Sequence, residues 1–240
     1  MSGTRLPLDD AVELSRTGDL WLFRGSGAAD QAIRITTNSP VNHVGMAVTI
    51  DDLPPLMWHA ELGRSLPDLW SGDRHRGVQL HDLRDAVGVW ARRYGQRAWL
   101  RQLSLPDGAD RQRAVEDAVL QTIARLDGTP FPSTARLAAR WLGGRTTGWV
   151  RRRSSPDDDA RSSTEGTDGE DGEDGAALET AYCAEVVAVT YQAMGLLPAD
   201  RAPNWYDPGR FWSGDDLRLL GGAELGAEIE VAVPSDVTPG

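Results

Sequence analysis

At 240 residues, with 40% apolar residues and nine Trp, the chain has the length and composition of one folded domain with a sizeable core. Its net charge of −11 is concentrated, because residues 154–180 hold ten acidic residues and one Arg while the charges elsewhere nearly balance. That excludes the basic stripe of a nucleic-acid-binding surface, and the single cysteine, Cys183, excludes an internal disulfide and a Cys-rich zinc site.

The N-terminal "MSGTRLPLDDAVELSRTGD" is polar and lacks the apolar run of a signal peptide. No later stretch has the apolar length of a membrane span, so a cytoplasmic chain without an integral membrane segment is expected. "LPLDDAVELSRTGD" predicts a short helix with Leu8, Val12 and Leu14 on one side and Gly18 near its end. Asp19 to Phe23 predicts a short strand, and "GAADQAIRITTNS" a second short helix. "NHVGMAVTI" predicts a buried strand. The paired prolines of "DDLPP" turn the chain, so Val44–Ile50 and Leu56–Leu62 are expected to form a hairpin. "GVQLHDL" follows as a strand, "AVGVWARRYG" as a helix and "RAWLRQLS" as a strand.

"ADRQRAVEDAVLQTIARLDG" carries the clearest helical stripe, Val115, Ala118, Val119, Ile123 and Leu126, with Gly128 at the C-cap position. "TARLAARWLGG" predicts a shorter helix. Residues 151–177 have almost no apolar side chain and are expected to be a disordered acidic insertion. "LETAYCAEVVAVTYQAMGLLP" predicts a buried helix closed by Gly195 and Pro198, and the aromatic "NWYDPGRFW" a closing segment over the core. The fold class is therefore α+β, a small antiparallel sheet or partial barrel packed against helices. Residues 1–150 and 178–240 are the two parts of one domain, separated by the insertion.

Cys183 stands at the beginning of that predicted last helix. A thiolate there would face unpaired backbone N–H groups and the positive end of the helix dipole, which lower its pKa and can hold an oxyanion. Taken alone, such a cysteine more often simply packs. A cysteine nucleophile needs a base within hydrogen-bond reach and a third group to orient that base. His43 begins a rigid buried strand, and His59 lies on its hairpin partner, close enough to meet it across the ladder. Either His59 or Glu61, two residues on and on the same face, would orient the His43 ring. His75 and His81 sit in the polar "GDRHRGVQLHDL" and are expected to be solvated. Asp19 is expected to be a turn or strand-entry residue that steadies the loop before the His43 strand, and is, with Tyr182, a candidate for the oxyanion or substrate site. Tyr182 either bounds an oxyanion site or packs. Arg24 and Arg34 are candidates for a substrate carboxylate, with solvated surface as the plainer role. A metal reading of His43, His59 and Glu61 has no recognised zinc spacing, and no helical His-Glu-x-x-His is present, so no metal or cofactor is expected.

"TGDLWLFRG", "ITTNSPVNHVGMAV", "WHAE", "GVQLHDL", "RAWLRQL", "LDGTPF" and "AYCAEVVAVTYQAMGLL", in that order, resemble the permuted NlpC-like branch of the papain-fold hydrolases, and within it the YiiX and YaeF types. Ser39-Pro-Val-Asn-His43-Val-Gly matches the family's Ser-x-x-x-His-Val-Gly strand. Cys183-Ala-Glu185 matches its Cys-Ser-Glu helix with Ala in place of Ser. The likeness covers nearly all of the chain except the acidic insertion. It implies Cys183 as nucleophile, His43 as general base and then general acid, and His59 or Glu61 as the third residue. A histidine at that third place is also found in lecithin:retinol acyltransferase-like proteins, whose Asn-Cys-Glu-His signature this chain lacks. The implied reaction is cleavage of an amide, thioester or ester bond through an acyl-enzyme. A small peptide, a lipid or an acylated molecule would be the substrate. Acyl transfer, or a non-catalytic binding module on the same fold, is the alternative.

Overall fold

The computed structural model describes residues 5–27, 39–50, 52–106, 108–128 and 171–234. The elements run β1 (Leu6–Pro7), α1 (Leu8–Leu14), β2 (Leu20–Arg24), β3 (His43–Val48), β4 (Leu56–Glu61), β5 (Gly77–Asp82), α2 (Leu83–Arg93), β6 (Arg97–Arg101), β7 (Leu103–Ser104), α3 (Ala109–Leu126) and α4 (Asp171–Ala193). Three short 3₁₀ turns between Pro203 and Asp215 lead to β8 (Glu224–Leu225) and β9 (Ile229–Ala232). The helices expected in "GAADQAIRITTNS" and "TARLAARWLGG", Arg34, and residues 151–170 of the expected insertion lie outside the described residues.

The fold is α+β. Among the described residues seven strands form one sheet in the order β1-β9-β6-β2-β3-β4-β5, antiparallel throughout except for the parallel β1–β9 pair. It is larger than the small sheet expected from sequence, because β6 and β9 return from far along the chain to extend it beyond β2. The predicted β3–β4 hairpin forms, with Met46 opposite Trp58.

Strand side chains alternate between faces, so the sheet sorts its residues into two layers. Leu20, Leu22, Val44, Met46, Val48, Trp58, Ala60, Val78 and Leu80 pack on one face with α3 and α4. Trp21, Phe23, Ala47, Met57, Ala98 and Leu100 pack on the other face with α1 and α2. Helix α4 is fastened to the first face by two hydrogen bonds. Trp58 Nε1 donates to Thr190 Oγ1 at 3.2 Å, and the Tyr191 hydroxyl donates to the Gly18 carbonyl at 2.6 Å. Each large apolar side chain buried here contributes about 1.5–3 kcal/mol.

Helix α1 buries Leu8, Ala11 and Val12, but Leu14 is 49% exposed. The inward residues follow i, i+3, i+4 from Leu8, and i+6 falls on the opposite side of the helix. In α3 the expected stripe packs inward through Val115, Val119 and Ile123. Helix α4 starts at Asp171, inside the stretch expected to be disordered. The aromatic segment after α4 closes the first face, with Tyr206 and Phe211 buried against it. Arg101 holds this region to the sheet, donating from its three guanidinium nitrogens to the carbonyls of Gly226, Phe211 and Leu225.

Candidate functional site

Three adjacent strands, β3, β4 and β5, carry one histidine each on the face covered by α2. His59 stands opposite Gln79, and Met57 opposite His81, so His59 and His81 are diagonal neighbours across the β4–β5 ladder. His43 holds the same diagonal relation to His59 across β3–β4. Gly45 between them leaves room for the close approach. A Cβ there would lie 2.3 Å from Met57 Sδ and 3.3 Å from His59 Cβ.

The rings form one hydrogen-bonded column. His43 Nε2 is 3.1 Å from His59 Nδ1, His59 Nε2 is 2.9 Å from His81 Nδ1, and His81 Nε2 is 3.2 Å from Gln79 Oε1. Gln79 Nε2 donates to the His75 carbonyl. His43, His59 and Gln79 are at most 1% exposed, and His81 is fully buried. The indole of Trp90 on α2 lies over the His43 ring, 3.9 Å between centroids, and Phe23 flanks it at 5.7 Å.

The far end of the column sets its direction. A carbonyl oxygen only accepts, so the Gln79 atom facing the His75 carbonyl is the amide nitrogen, and Oε1 faces His81. His81 therefore donates from Nε2 and accepts at Nδ1. His59 donates to it from Nε2 and accepts at its own Nδ1, and His43 donates from Nε2. His43 Nδ1 is left as a bare acceptor, and among the described residues this buried atom has no hydrogen-bond partner.

Burial keeps all three rings neutral. It lowers the pKa of His43 to about 3 and that of His81 to about 4. His59 is held well below the ordinary histidine range by burial first, and then by the like charges that His81 and His43 would carry. Beside the column, Glu61 is 2% exposed. Its Oε1 accepts from the Ser65 amide at 3.3 Å and its Oε2 from the Ser65 hydroxyl. Burial raises its pKa. Its carboxylate belongs with His59 and His81 to a group whose donor atoms all lie within 4.8 Å of one another.

The structure thus brings His43, His59 and Glu61 together, and adds His81 and Gln79. His81 corrects the sequence reading of a solvated residue. The polar run Asp73–Arg76 just before it masked the alternation of "GVQLHDL", which turns Val78 and Leu80 to one face and Gln79 and His81 to the other.

Cys183 is placed elsewhere. It is fully buried with Val44, Met46 and Trp58 on the first face of the sheet, whereas His43 contacts Phe23 and Trp90 on the second. Nor is it at a helix start. Helix α4 begins twelve residues earlier, at Asp171, so the backbone N–H at Cys183 lies in the helix interior rather than among the unpaired first four. Tyr182 packs in the same apolar layer, 8% exposed.

Asp19 is a structural acceptor, taking the backbone N–H of Arg16 at 2.9 Å and of Leu103 at 2.7 Å, with burial raising its pKa to about 6. The Arg24 guanidinium lies over the rings of Trp99 and Trp212, 5.2 and 5.7 Å from their centroids. No helix among the described residues is long and apolar enough to cross a membrane.

No family model matches the chain, and no curated protein matches it either.

Proposed function

We propose that this chain is a hydrolase of amide, thioester or ester bonds in which His43 is the general base, on a permuted papain-like fold. The observation that carries this reading is the one-directional column, which leaves the Nδ1 lone pair of a rigid histidine without a partner among the described residues. A base needs an unpaired lone pair on one ring nitrogen and an orienting partner on the other; His43 has both, and because its Nδ1 is buried a path to that atom must open for it to act. His59 is its direct partner, with His81 and Gln79 behind it. Glu61 lies beside the column rather than against His43.

His43 Nδ1 takes the proton of the nucleophile as that attacks the acyl carbon, and returns it to the leaving group. The resemblance supplies Cys183 as nucleophile, with an acyl-enzyme that water then cleaves. In the described arrangement the sheet backbone separates the thiol from His43, so the cysteine route requires the sulfur to reach the second face. A water nucleophile needs only access to Nδ1. Acyl transfer differs solely in the acceptor that resolves the intermediate.

The test is turnover of a panel of peptidyl amides, acyl thioesters and lipid esters by the wild type, His43→Gln and Cys183→Ala, together with labelling by an acyl electrophile read by mass spectrometry. Turnover lost in His43→Gln supports the reading. An acyl adduct on Cys183 that depends on His43 makes the nucleophile the thiol. Turnover that survives Cys183→Ala but not His43→Gln makes it water. Turnover unaffected by His43→Gln, or none on any substrate, overturns the reading in favour of a binding module.

A further inference from the structure

We propose that His59, Glu61 and His81 form a binding site for a divalent ion of the zinc class. Two imidazoles and a carboxylate are a donor set that zinc and its neighbours in the transition series accept. One donor atom from each residue lies within 4.8 Å of the others, and all three residues are buried.

The surroundings support the assignment independently of that spacing. His81 donates its Nε2–H to Gln79 Oε1, which turns its Nδ1 lone pair inward, as an outer-shell acceptor does for a metal-bound histidine. Glu61 is steadied in the same way by the hydroxyl and amide of Ser65. His59 Nε2 and His81 Nδ1 face each other at 2.9 Å through a shared proton, and an ion bound about 2.0–2.1 Å from both would replace that proton as the two nitrogens move slightly apart. No Lys or Arg among the described residues pairs with Glu61, whose partners there include the Ser65 hydroxyl and amide.

Binding would redistribute protons along the column. With the ion on His59 Nε2, the His59 proton resides on Nδ1 and is donated to His43 Nε2, and the His43 proton moves to Nδ1. Each ring keeps one proton, and the column's direction reverses between His59 and His43. The lone pair that His43 offers would then be withdrawn while the ion is bound. The binding site itself does not depend on the hydrolase reading.

The experiment uses the full chain, stripped with a chelator, dialysed, and titrated with Zn²⁺ by calorimetry and metal analysis. One equivalent is expected to bind. His81→Gln and Glu61→Gln should each weaken binding by more than the roughly 10–100-fold that loss of an outer-shell partner costs, and His75→Ala should leave it unchanged. The assignment fails if the wild type holds no stoichiometric Zn²⁺, if both ligand variants bind as the wild type does, or if His75→Ala abolishes binding. Because the buried variants can misfold, ¹⁵N histidine spectra of the wild type give a second readout. Conversion of His59 and His43 from the Nε2–H to the Nδ1–H form at one equivalent of Zn²⁺ supports the site. Unchanged His59 and His81 signals overturn it.

Discussion

The two faces of the sheet are built from the same strands and differ in kind. On the α3/α4 face, Val44, Met46, Trp58, Val78 and Leu80 make a continuous apolar layer whose cohesion is non-directional. On the α1/α2 face the alternate positions of the same strands hold His43, His59, Gln79 and His81, where each donor must meet its acceptor. One residue of register separates a packing surface from a polar device. A one-residue slip of β4 would exchange Trp58 for His59 and ruin both.

The contrast can be broken most severely at His43. If the polar face is the working face, His43→Gln lowers turnover by about 10²–10⁴-fold, the usual worth of a positioned base. The fold should survive, as circular dichroism would verify, since glutamine can still donate a hydrogen bond to His59.

Acid is the next lever. The unfolded chain takes up protons on histidine near pH 6.5, whereas folding lowers His43 to about 3 and His81 to about 4. Between these limits the unfolded state binds more protons, so stability is complete above pH 6.5 and falls as pH drops toward 4. Each of these two rings then contributes a slope of about 1.4 kcal/mol per pH unit. Urea midpoints measured from pH 7 to pH 4.5 test this, and His81→Gln should remove one ring's share of the slope. The apolar face predicts no such dependence.

On that face the comparable injury is volume. Trp58→Ala should cost about 3–5 kcal/mol, read as a lower urea midpoint with little change in its pH slope. The smallest expected effect lies between the layers, at Gly45. Gly45→Ala pushes a methyl group against Met57 and the base of His59, and overpacking of this kind costs about 1–3 kcal/mol. Its signature is a shift of the His59 ring resonances, which a purely apolar clash would leave in place.

Much of this was legible in the sequence because it rests on local patterns. The hairpin around "DDLPP" follows from a proline turn between two apolar runs, and the α3 stripe from its helical spacing. The approach of His43 and His59 follows from the two-residue period of paired strands. Three things were not legible. The pairing of β6 with β2 and β9 depends on residues more than seventy positions apart, for which spacing within a window carries no signal. The start of α4 lies in a Gly- and Asp-rich stretch without apolar periodicity. The side of the sheet on which α4 packs depends on which layer has room for it, so the relation of Cys183 to His43 was beyond any reading of strand order.

The order of strands also has a kinetic consequence. β3, β4 and β5 pair with their sequence neighbours, whereas β6 reaches β2, and β9 reaches β6, only through long loop closures. Closing a long loop costs chain entropy before its contacts are made, so the neighbouring strands should assemble first and the distant ones dock later. The histidine column lies wholly within the early part. Pulsed hydrogen exchange during refolding should therefore protect the amides of His59 and His81 before those of Leu100 and Val231. The polar machinery would take shape while the chain's far end, Cys183 included, is still unfolded.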